Sequence, residues 1–169
     1  MNRINDLYER MIAFDTGRPE LIQHFTKVHS YARLIAQVEG LSDTLIIEAA
    51  ALVHDIAIPL CENKYGSDAG SLQELEGPAL ARPMLEAAAF ETEAVDQVCF
   101  LVSRHHTCQP VEGLDHQILL EADAMVNSFE NRLQREDCQQ IYAKIFKTKA
   151  GRRLYALMFG LEESVDAGE

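Results

Sequence analysis

The sequence predicts an all-helical, single-domain bundle. Three observations carry that expectation. Apolar residues recur at helical spacing along nearly the whole chain, with no convincing strand-like alternation. The segment LIIEAAALVHD, residues 45–55, is apolar almost all round, the pattern of a helix buried at the centre of a bundle. A length of 169 residues with a 47% hydrophobic fraction suits one domain with a sizeable core.

A first helix is expected over residues 2–13. Gly17-Arg18-Pro19 ends it, and Pro19 suits the first turn of the next helix. The second helix, 20–38, carries the apolar stripe Leu21, Phe25, Val28, Ala32 and Ile35 and stops at Gly40. Ser42 or Asp43 caps the third, which ends before Pro59. Residues 59–71, with Lys64, Tyr65, Gly66 and Gly70, read as a loop containing at most a helical turn. Further helices are expected at 72–88, 91–104, 115–129, 135–147 and 150–161, followed by a polar, frayed tail over 162–169. No repeat or linker divides the chain, so residues 1–169 form one domain, with the helices of 131–161 packed on its core.

The formal net charge is −12, from 15 basic and 27 acidic residues. A field of that sign repels nucleic acid polymers and anionic membranes. It permits a small phosphorylated ligand, because a bound cation reverses the sign locally. No apolar run approaches the roughly 20 residues that span a bilayer. The opening MNRINDLYERMIAFDTG carries Asp6 and Glu9 and lacks a long apolar segment, so a cytoplasmic location is expected. Cys61, Cys99, Cys108 and Cys138 are scattered and are expected to stay reduced.

Ionisable residues on apolar helix faces need an explanation. Asp123 has Leu119, Leu120, Val126 and Asn127 as its helical neighbours, and a buried carboxylate is costly unless paired or bound to a metal. A buried salt bridge or a helix cap is the plainer account. His54-Asp55 closes the most apolar helix, where neighbours about 100° apart can aim at one cavity. A histidine satisfying a carbonyl is the alternative, although the helix dipole disfavours an aspartate at that end. His29, beside Phe25, Val28 and Ala32, is on its own an ordinary core histidine. His105-His106 closes VDQVCFLVSRHH; both rings can hold a divalent cation, or they form a polar helix end. His24 lies five residues and about 140° from His29 and points elsewhere. His24 and His116 are read as surface residues. Met125, Met158, Phe146 and Phe159 have core-like spacing.

The order of these residues carries more than any one of them. A lone histidine, a His-Asp pair ending a buried helix, a histidine pair and a late aspartate together resemble the HD-domain superfamily of metal-dependent phosphohydrolases. The matching stretches are HFTKVHSYARLIA, EAAALVHDIA, EGPALARPML, VCFLVSRHH and LLEADAMV, within an HD-like core at 20–130. The resemblance implies an all-helical fold with the metal in the bundle interior. It makes His29, His54, Asp55 and Asp123 the ligands of a first cation. In two-metal members, His105 and His106 match the ligands of a second cation; Glu76 stands where many members have a histidine ahead of a glycine and a small residue, so either Glu76 replaces it as an oxygen ligand or the second site is lost. Asp55, bridging two cations, and Glu76, managing protons if it is not a ligand, are the catalytic candidates. Many relatives follow the His-Asp pair with glycine and a phosphate-binding lysine. This chain reads Ile56-Ala57-Ile58-Pro59, so Lys64 or Arg104 would have to supply that charge.

A mixed nitrogen and oxygen ligand set suits one or two divalent cations among iron, manganese, nickel, zinc and magnesium. The expected activity is hydrolysis of a nucleotide or another small phosphate ester by metal-activated water. A diiron oxygenase on the same scaffold and a non-catalytic metal or nucleotide sensor are the rival readings. The expected partner is a small phosphorylated substrate, not a nucleic acid polymer or a membrane, with a homodimer as the candidate assembly.

Overall fold

The buried third helix organises everything around it. A computed structural model of the chain describes residues 2–162, which are mostly helical and contain no strand. Nine α-helices are found among the described residues: α1 (Arg3–Phe14), α2 (Pro19–Val38), α3 (Leu45–Val53), α4 (Ile58–Tyr65), α5 (Gly70–Ala87), α6 (Thr92–Val102), α7 (Gly113–Glu130), α8 (Arg135–Ile145) and α9 (Lys149–Phe159). Every residue of α3 from Ile47 to Val53 is buried. Helices α1, α2, α6 and α7 surround it, α2 also lies along α7, α4 and α6 pack on α5, and α8 and α9 close over α7. Helix α7 is buried on all sides from His116 to Val126, which is why its sequence shows so little amphipathic contrast. The two most enclosed helices are thus the ones that deliver Asp55 and Asp123.

Local signals set the boundaries. Asn2 caps α1, its Oδ1 accepting from the Ile4 N–H at 3.0 Å, and Pro19 opens α2 with the fixed φ a first helical turn requires. Helices α2 and α3 run antiparallel, since His24 lies against His54 while His29, further along α2, lies against the earlier Glu48. The third helix ends at Val53, slightly earlier than expected, so His54 and Asp55 lie at its C-terminal turn.

Residues 59–71 correct the sequence reading. The sequence predicts a loop there, yet Ile58–Tyr65 is a two-turn helix and α5 already starts at Gly70. Pro59 sits in the first turn of α4 and Gly66 ends it in a left-handed conformation (φ 65°), its N–H bonded to the Glu62 carbonyl at 2.9 Å. Proline and glycine mark helix ends as readily as loops, and eight residues give too little periodicity to separate the two. The polar tail over 163–169 lies outside the described residues. No helix among the described residues is long and apolar enough to cross a membrane.

The C-terminal helices are fastened by one buried carboxylate. Glu121 of α7 is fully buried and accepts from Gln117 Nε2 (2.7 Å), the Lys147 and Thr148 N–H groups (2.6 and 2.8 Å) and Thr148 Oγ1 (2.5 Å). Thr148 Oγ1 in turn accepts from the Gly151 N–H at 2.9 Å, capping α9. A Cβ at Gly151 would overlap the Glu121 carboxylate, so glycine is required there for close approach. Glu121→Ala strands these donors in the interior. It is expected to lower unfolding stability by about 3–5 kcal/mol, read from urea denaturation against the wild type.

Candidate metal centre

Four side chains from three helices meet inside the bundle. His24 comes from α2, His54 and Asp55 from the end of α3, and Asp123 from the middle of α7. All four residues are less than 9% exposed. His24 Nε2 lies 3.2 Å from His54 Nε2, 3.4 Å from Asp55 Oδ2 and 3.3 Å from Asp123 Oδ1. His54 Nε2 lies 3.4 Å from Asp55 Oδ2 and 3.5 Å from Asp123 Oδ1. Ligand atoms about 2.0–2.2 Å from one cation in tetrahedral geometry are separated by roughly 3.4 Å, so this spacing is that of a coordination sphere.

Asp55 belongs to a second group as well. Its Oδ1 is 2.9 Å from His105 Nε2 and 3.9 Å from His106 Nε2, both carried in the turn after α6. One carboxylate therefore presents Oδ2 to the first set of groups and Oδ1 to the second. His106 is the exposed member of the two sets, its side chain 34% accessible.

The remaining ring nitrogens fix how these histidines face. His24 Nδ1 bonds Glu130 Oε2 at 2.9 Å, His54 Nδ1 bonds the Ala51 carbonyl at 3.0 Å and His105 Nδ1 bonds the Val102 carbonyl at 2.7 Å. Each of these partners is an acceptor, so Nδ1 carries a proton and Nε2 is the nitrogen that can give a lone pair to a cation, the arrangement of metal-ligating histidine. Asn127 Nδ2 donates to Asp123 Oδ1 at 2.8 Å and steadies that carboxylate. Lone pairs on His24 and His54 3.2 Å apart, beside two carboxylates, repel unless a positive charge lies among them.

Protons fill that role when no cation does. Burial opposes charging His54, but Asp55 and Asp123 outweigh it and push the ring up to about 10. His24 is likewise raised against its burial, by the hydrogen bond to Asp123 and the charge of Asp55. Burial alone would raise Asp55 and Asp123, yet the histidines hold both below the usual carboxylate range. The residues present thus fit a cation, and the His24–His54–Asp55–Asp123 group can hold a metal ion.

Several site expectations change position. His29 is not in this group. It lies about five residues, roughly 7.5 Å, along α2, where its Nε2 bonds Glu48 Oε2 at 2.9 Å and its ring meets Tyr8 edge-on. His24, read as a surface residue, takes the inward position because its own azimuth on α2, about 140° away, faces α3 and α7. Glu76 is also elsewhere: α4 packs on α5, and Glu76 Oε1 accepts from Lys64 Nζ (2.7 Å) and Tyr65 Oη (2.5 Å). That pairing also engages Lys64. Arg104 bonds Glu112 Oε1 at 2.6 Å. His116 is fully buried rather than exposed. Its Nδ1 accepts from the Glu112 N–H at 3.1 Å and its Nε2 donates to the Arg104 carbonyl at 2.9 Å, tying down the segment that carries His105 and His106.

Sequence reading missed Glu130 and Lys27 altogether. Lys27 Nζ donates to Glu130 Oε1 at 2.8 Å, so a charge chain runs from the surface through Glu130 to His24. The spacing of His24 and Lys27 on α2 was a usable signal, but nothing local tied either to a glutamate over a hundred residues away.

Comparison with protein-family models, with curated proteins and with solved structures gives no match to this chain. The geometry therefore carries the functional reading by itself, and it is compatible with a metal-dependent enzyme.

Two outcomes are expected. His24→Ala loses most of the tightly held metal while His29→Ala keeps it, as elemental analysis after dialysis reads. Because a cation must displace the protons that His24 and His54 hold above the ordinary histidine range, apparent metal affinity rises with pH and binding releases protons. Titration calorimetry in buffers of different ionisation enthalpy measures that release.

Proposed function

We propose that this chain is a metal-dependent phosphohydrolase of the HD-domain type, acting on a nucleotide or another small phosphate ester. The observation that supports it most is the shared Asp55 carboxylate, with Oδ2 toward His24, His54 and Asp123 and Oδ1 toward His105 and His106. A bridging carboxylate between two imidazole-rich groups suits a pair of divalent cations, with iron, manganese, nickel, zinc and magnesium the candidates. Such cations supply a water of lowered pKa and neutralise charge on phosphoryl oxygens.

The chain's own residues divide the remaining work. His24, His54, Asp55 and Asp123 would hold one cation, and Asp55 with His105 would hold a second. His106, the member of the second group open to solvent, would meet the ester and give or take a proton at Nε2 if no cation holds that nitrogen. Glu130 orients His24, and Lys27 donates to the other Glu130 oxygen and holds it in place. The net charge of −12 favours a small ester, whose charge the centre neutralises, over a nucleic acid polymer.

A second reading rests on a specific observation. Lys64 and Arg104 are both engaged with carboxylates, so neither brings an unpaired cation to a phosphate. That favours oxygen activation by two irons on the same ligands. The assay separates the two: metal-loaded protein is expected to release phosphate from a panel of nucleotides and aryl phosphates, with chelator stopping it. Oxygen uptake by iron-loaded protein without phosphate release would support the oxygenase instead. Asp55→Asn is expected to abolish phosphate release with the fold retained. Glu130→Gln should lower metal affinity or turnover by about 10–100-fold, since it acts only through His24.

A further inference from the structure

A cavity of about 610 Å³ lies between α7, the end of α8 and the segment that follows His106. That volume falls in the roughly 300–1,000 Å³ range of small-molecule pockets. Pro110, Val111, Leu120 and Ile145 give it aliphatic walls, and two exposed lysines, Lys144 and Lys147, also line it. Among the described residues no carboxylate does, although the chain carries 27.

The cavity and the metal centre share one open side of α7. Between His116 and Val126, the residues Gln117, Leu120, Asp123 and Ala124 keep 6–9% of their surface, and every other residue keeps 1% or less. The four fall within about 120° of arc around the helix. Leu120 stands about 4.5 Å along the axis from Asp123, and Gln117 about 9 Å. The opposite wall begins equally near, since Cys108 is two residues past His106, the solvent-open member of the second group.

Gln117 gives this cavity a polar reader. It is nine-tenths buried, and its Nε2 donates to Glu121 Oε1 at 2.7 Å and to the Ile145 carbonyl at 2.8 Å. Two acceptors on that side fix the amide, which leaves Oε1 as the end without a hydrogen bond. An acceptor held in this way takes an N–H or O–H from a ligand and penalises a second acceptor placed against it.

We propose that this cavity binds the nucleoside part of a nucleoside monophosphate, with a base amino group donating to Gln117 Oε1 and Leu120 limiting the size of the base. The proposal rests on the phosphohydrolase reading for the place of the phosphate, at the metal centre. A nucleoside spans the distance from Asp123 to Gln117, lays its flat apolar faces on Leu120, Val111 and Ile145, and in adenine or cytosine ends in an amino donor. A methyl ester reaches the metal centre and leaves Gln117 unpaired.

Adenosine monophosphate titrated into the full chain, with and without manganese and followed by amide resonances, tests the proposal. The backbone signals of Val111 and Leu120 and the side-chain amide of Gln117 are expected to shift saturably, while methyl phosphate leaves them still. Inosine monophosphate has an oxygen where adenosine monophosphate has its amino group, and it should bind about tenfold more weakly. Leu120→Phe grows into the cavity and should weaken binding about tenfold or more. Val111→Trp, at an exposed position, should do the same and serves where Leu120→Phe disturbs the fold. Cavity signals that stay still, equal binding of inosine monophosphate, or wild-type affinity in the folded variants would overturn it. Binding in the cavity without phosphate release would contradict the hydrolase reading and leave the cavity assignment standing. Release from adenosine monophosphate that neither variant slows would do the reverse.

Discussion

Two carboxylates in the dry centre of a helical bundle are the constraint on which the rest depends. Asp55 and Asp123 are each more than nine-tenths buried, and burying such charges without compensation costs several kcal/mol per ion. The compensation is a shell of imidazoles whose outer nitrogens are held by Glu130 and by the Ala51 and Val102 carbonyls. Those anchors turn the lone pairs inward, and inward lone pairs beside carboxylates attract a cation. The cost of the aspartates and the capacity to bind metal are thus one physical fact.

The fold serves that centre by enclosure. Helices α3 and α7 are surrounded by their neighbours, so the residues they deliver reach a region from which water is largely excluded. Electrostatic interactions there are stronger than at the surface. The turn carrying His105 and His106 is the less enclosed wall. It is fixed from outside by His116, and by Glu74, whose Oε1 accepts from the His106 N–H at 3.0 Å and Thr107 Oγ1 at 2.9 Å. A Cβ at Gly70 would meet the His106 ring, so the start of α5 presses directly on the one ligand candidate open to solvent.

Helical class and the central helix were legible because the apolar pattern of residues 45–53 admits few other readings. His54, Asp55, Asp123, His105 and His106 were legible for a related reason: each interrupts or closes an apolar run at a cost that burial alone does not explain. The choice between His24 and His29 was not. Both lie on α2 among apolar residues, and the face that meets α3 and α7 is set by packing rather than by local spacing. The same holds for Glu76, whose partner Lys64 sits on a helix, α4, too short to show periodicity. Glu121 and Glu130 were invisible because their roles are defined by partners distant in sequence, and His116 reads as a surface residue because nothing local shows that it packs under the turn carrying His105 and His106.

The central claim is that His24, His54, Asp55 and Asp123 bind one cation together. Anomalous diffraction from crystals grown with manganese measures this directly. The account predicts a peak about 2.0–2.3 Å from His24 Nε2, His54 Nε2 and oxygens of Asp55 and Asp123. A peak beside His29 and Glu48, or no peak among the four residues at saturating manganese, would contradict it.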